Sequence, residues 1–189
     1  RQMCIRDRIL IVLLSCGRGG KALDSVPSRI VPDSFAIGLN LFNKARTASH
    51  NSANMDSVLF YMQLAENFFK REGDKAQVNR FIAFIYSSRG MLDEATPYFL
   101  KASRMANEWQ YSSICQEVAK AYATAGRFRE GVLVLDLIRK NMNDRTVVPY
   151  YHLAKGNLWA GVNEYDSAVT YYRTASISLN RWVAAEASR

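Results

Sequence analysis

Two histidines, three cysteines and one short glycine-rich run are the features of this 189-residue chain that could support chemistry. His50 falls in the polar stretch Thr47–Asn54, and His152 precedes Gly156 by one helical turn. A metal site needs several ligands at fixed spacing, and no His-Glu-x-x-His pattern occurs. Both histidines therefore read as surface residues rather than ligands. The run Gly17-Arg18-Gly19-Gly20-Lys21-Ala22 invites comparison with a phosphate-cradling loop. Its glycines lack the required separation, and Ala22 stands where a magnesium-holding Ser or Thr is needed. Asp93-Glu94 opens a helical pattern, where paired carboxylates favourably meet the positive helix end. Tyr150-Tyr151 and Tyr171-Tyr172 could stack on bases or sugars; Tyr172 falls on a packing position, whereas Tyr150 does not. Cys4, Cys16 and Cys115 have neither zinc-site spacing nor the look of a disulfide framework. These residues point to a chain without catalysis, metal or cofactor.

The elements that carry them follow a shared period. Val58, Ala95, Gly131 and Ala168 are separated by 37, 36 and 37 residues. Met62, Phe99, Leu135 and Tyr172 step identically, as do Ala65, Ala102, Ile138 and Ala175. Met55, Leu92, Phe128 and Tyr165 form a fourth series. A period in this range marks a stacked helical repeat. In the clearest unit, Ile82, Ala83 and Tyr86 share one helical face, and Ala95, Phe99 and Ala102 share another. Gly90 between them suits a left-handed helix end. Asp74 with Gln77 reads as a capping box opening the unit. Gly126 and Asn163 occupy the corresponding turns of the next two units, and Pro149 suits a first helical turn. An earlier, weaker unit places one helix around Asp33–Thr47 and a turn over Thr47–Asn54. Cys115 falls near a buried helix face.

Ala83, Tyr86, Gly90, Ala95, Phe99 and Ala102 resemble the tetratricopeptide repeat pattern of small, aromatic and glycine positions. The resemblance covers roughly residues 35–182. The period is longer than the family's usual 34 residues. Asn107 and Asn143 stand near the place of the family's frequent proline. The resemblance implies an all-α solenoid of about four helical hairpins. It also implies a concave groove lined by first helices, where a peptide or protein partner lies. By register the groove positions are Gln77, Arg80, Phe84 and Ser87, then Gln116, Lys120 and Ala123, then Tyr150, Leu153 and Asn157. Arg80 and Lys120 would favour an acidic group on the partner.

The amino-terminal segment divides differently. Residues 1–8 resemble a translated sequencing artefact and are set aside from the fold. Within 9–16, the apolar run Ile9–Leu14 leads into Leu13-Leu14-Ser15-Cys16, which resembles the lipobox of bacterial lipoproteins. That resemblance implies lipidation at Cys16, a membrane anchor and a place in a bacterial cell envelope. Read without it, the run is the apolar stub of a helix. Residues 17–32 then serve as a flexible tether, 33–182 as the helical repeat domain, and 183–189 as the start of a further or capping helix. The formal charge is +8, but residues 1–32 hold a net +4 and the rest another +4. Such scattered charge argues for a solvated surface and against nucleic-acid binding. Two other readings remain open: the sensor region of a larger envelope regulator, or a glycan-binding outer-membrane lipoprotein.

Overall fold

A computed structural model describes residues 33–50, 54–139 and 148–187. These residues form eight α-helices and, among those described, no strand. The helices are α1 (Ser34–His50), α2 (Met55–Phe68), α3 (Glu72–Ser88), α4 (Leu92–Met105), α5 (Glu108–Thr124), α6 (Phe128–Arg139), α7 (Val148–Gly161) and α8 (Tyr165–Ala187). The expected all-α class holds.

Short polar side chains set several helix starts by satisfying first-turn N–H groups. Asp33 Oδ1 accepts from the Phe35 N–H at 3.3 Å. Asn54 Oδ1 accepts from the Asp56 N–H at 3.0 Å. Asn107 and Gln110 form a reciprocal capping box at α5, with bonds of 2.9 and 3.1 Å. Pro149 lies in the first turn of α7, as its fixed φ suggests. Three sequence expectations need correction. Asp74 does not open α3: the helix starts at Glu72 after Arg71, and no side chain caps it. The polar stretch from Thr47 is helical through His50, with the Thr47 hydroxyl bonded back to the Asn43 carbonyl at 3.0 Å. Residues 51–53 lie outside the described set. Residues 183–187 continue α8 rather than opening another helix.

Three turns share one hydrogen-bond pattern. The Gly90, Gly126 and Asn163 N–H groups bond to the carbonyls of Ser87, Ala123 and Ala160. The following N–H groups, of Met91, Arg127 and Glu164, reach back to Tyr86, Tyr122 and Trp159. This is the Schellman closure, and it needs a left-handed residue at its corner. The corner φ values are +76°, +70° and +62°. Asn163 adopts that conformation without being glycine, as its short amide permits.

Within each consecutive pair, α1 with α2, α3 with α4, and α7 with α8 make extensive contact. α5 packs on α3, α6 and α7. Val58, Ala95, Gly131 and Ala168 are all buried, as are Ala65, Ala102, Ile138 and Ala175. Met62, Phe99 and Leu135 are fully buried, and Tyr172 is partly so. The fourth series opens outward at its end, because Tyr165 is 62% exposed. Tyr86 stacks on Tyr98 at 5.7 Å where the α1–α3 core meets the α3–α7 core. Gly131 lets α5 and α6 approach, since a Cβ there would lie 2.7 Å from Tyr122 Cβ.

Candidate partner-binding face

Consecutive contact of α3 with α5 and of α5 with α7 sets these three helices side by side. Counting back equally from Gly90, Gly126 and Asn163 places Phe84, Lys120 and Asn157 at one level. One turn earlier come Arg80, Gln116 and Leu153. Most of this face is open to solvent. Phe84 is 50% exposed, Tyr150 38% and Leu153 39%. Gln116, Lys120 and Asn157 are also exposed.

Several of the expected residues are already engaged. The Arg80 guanidinium lies 3.5 Å from Glu117 Oε1 and 5.7 Å from the Trp109 ring centroid. It is therefore held by this chain's own acid rather than waiting for a partner's. Burial raises the Glu117 carboxyl above its ordinary range, while Arg80 opposes that rise. The Ser87 hydroxyl donates to the Phe84 carbonyl at 3.1 Å. Asn157 Oδ1 accepts from the Tyr172 hydroxyl at 2.9 Å, leaving its NH₂ outward. Gln77 is partly buried, and its Oε1 is enclosed without a hydrogen-bond partner. Ala123 is partly buried. Lys120 forms no ion pair among the described residues.

Sequence reasoning missed Trp109, which is 67% exposed beside Arg80. A signal was present. Trp109, Gln116 and Lys120 recur at helical spacing, so extending that stripe upstream reaches the indole. The expected surface position of His152 is also corrected: it is only 9% exposed, packed between the rings of Tyr151 and Tyr171. Cys115 is buried as expected, and burial pushes its thiol up to about 12. The His50 side chain, Cys4, Cys16 and the run Gly17–Ala22 lie outside what is described. Among the described residues no His, Cys, Asp or Glu group is arranged to hold a metal ion, and no helix is long and apolar enough to cross a membrane.

The arrangement offers recognition surface. It combines exposed aromatic and aliphatic groups with amides and the Lys120 ammonium, which forms no ion pair among the described residues. Comparison with protein-family models, curated proteins and solved structures finds no match to this chain.

Proposed function

We propose that this chain is a non-catalytic binding module of tetratricopeptide-like hairpins, which takes a peptide or protein along α3, α5 and α7. The carrying observation is the row of exposed large side chains, Phe84, Trp109, Tyr150 and Leu153, interleaved with Arg80, Gln116 and Lys120. Trp, Tyr and Arg dominate the energetics of protein interfaces because they bury large areas and keep a polar edge. The repeated turn closures and the buried ladders support the hairpin-repeat reading. The resemblance around Cys16 supports lipid anchoring in a bacterial envelope, with 17–32 as a tether.

Crosslinking from the intact chain in envelope extracts, with and without Trp109→Ala, tests the face. Trp109 is mostly exposed, so its truncation should leave the helical signal intact while reducing capture of one specific protein at least tenfold. Lys120→Glu should weaken the same capture if the partner is acidic. Equal capture by both variants would remove the proposal. Arg80→Glu is a poorer probe, because it sets a second carboxylate beside Glu117. Incorporation of labelled palmitate, lost in Cys16→Ala, tests the anchor independently.

A further inference from the structure

The α7–α8 pair is attached through the buried Ala154 and Leu158 and, beside them, a polar cluster that includes an enclosed lysine. Register places Tyr151 with Val78 and Ile114, and Lys155 with Ile82 and Val118. It places His152 with Asn79 and Cys115. Lys155 is 6% exposed, and its ammonium lies 3.0 and 3.2 Å from the two oxygens of Asp136 on α6. The Tyr151 hydroxyl donates to the same carboxylate. The ammonium also stands 4.8 Å from the Tyr171 ring centroid on α8.

His152 sits inside this arrangement without a counter-charge. Its ring stacks on Tyr171 at 5.8 Å and meets Tyr151 edge-on at 5.1 Å. Its Nδ1 is enclosed and has no hydrogen-bond partner. The charged groups facing it are Lys155 on its own helix and Arg139 on α6. Asp136 of α6 is engaged by Lys155 and Tyr151, α8 contributes Tyr171, and Tyr111 of α5 stands near Tyr151. A proton on His152 would therefore add a second enclosed cation beside Lys155, with the exposed Arg139 also near and no acceptor for Nδ1–H.

We propose that His152 makes the attachment of α7–α8 to α5–α6 acid-labile, so that mild acid opens this helix pair while α1–α6 stays folded. Burial, then Arg139 and Lys155, hold the imidazole below its ordinary value of 6.5. The sign follows from that direction. The attachment is at full strength above the unfolded value and weakens as pH falls below it, because the opened form binds the proton more readily. Helix pairs of one chain can open as separate cooperative units. Tyr150, Leu153 and Asn157 would leave the proposed binding face together. That consequence rests on the proposed function, whereas the opening itself is measured without any partner.

Hydrogen exchange on the intact chain, corrected for intrinsic pH dependence, provides the test. Between pH 7.5 and 5.5, protection of α7–α8 amides should fall about threefold or more relative to that of α3–α4, within the roughly tenfold limit set by one group with an unfolded value of 6.5. His152→Gln should remove the difference, as should His152→Asn, which copies the residue at the corresponding place in α3. An NMR titration of His152, distinguished from His50 by a His50→Gln variant, should give a midpoint below 6.5. Unchanged relative protection, persistence of the effect in both variants, or an unshifted midpoint would overturn the proposal.

Discussion

The α3–α6 region and the α7–α8 pair place the same helical positions against their neighbours and fill them differently. In the first, Ile82, Ala83, Phe99, Val118 and Leu135 meet through apolar surface alone. In the second, Lys155 occupies the place of Ile82 and Val118, and a half-exposed carboxylate from α6 meets it at the edge of the core. Apolar packing tolerates small losses in proportion to area. A buried ion pair behaves asymmetrically: its net contribution is small, yet removing one partner strands the other. The backbone pattern can therefore repeat while the response of each unit to substitution or pH does not. Burial alone would depress the Lys155 ammonium. The hydrogen bonds it donates to Asp136, with the Tyr171 and Tyr151 hydroxyls close by, outweigh burial and hold the group above its ordinary range. The stabilisation from this cluster is thus present below the ordinary lysine value and is lost only as pH rises through the higher folded one.

Substitutions can break this contrast. Phe99→Ala should have the largest effect, about 4 kcal/mol in urea unfolding, because Phe99 is fully buried. In the polar unit, Asp136→Ala should cost about 3 kcal/mol, since Lys155 would remain enclosed without a counter-charge. Lys155→Met should cost less than about 1 kcal/mol in the same assay, because the Asp136 side chain is 43% exposed and water can replace the ammonium. Equal losses in those two variants would contradict the asymmetry. Gly131→Ala should lower stability by about 2 kcal/mol, read as a drop in melting temperature, because its Cβ would crowd Tyr122 Cβ and Leu158 Cδ1 at 2.7 and 3.0 Å. Gly90→Ala should cost about 1 kcal/mol by calorimetry. Its φ is +76° with nothing within 4 Å of the added carbon, so only backbone strain contributes.

The helical hairpins were legible because their signals are local or periodic. Gly90, Gly126 and Asn163 marked the turns, and the recurring Ala, Phe and Leu positions marked the buried faces. The Asp74–Gln77 expectation failed because a capping pattern identifies a compatible residue pair, not the place where the helix begins. The capping pair at Asn107 and Gln110 has the same chemical logic and does open its helix, at a place where the family resemblance points to a proline position instead. Gln77, Phe84, Lys120 and Tyr150 could be placed by register alone. What could not be read was the pairing between distant segments. Glu117 reaches Arg80, and Asp136 reaches Lys155, only once separate helices are packed. His152 looked like surface for the same reason: its enclosure comes from Tyr171, on another helix.

The enclosed thiol of Cys115 gives the molecule a built-in stopwatch. A sulfur atom sealed among α5 neighbours and kept protonated is inert toward alkylating reagents until the surrounding helices part. When alkylation outpaces reclosing, its rate of modification, located by peptide mapping, counts how often that part of the interior visits solvent.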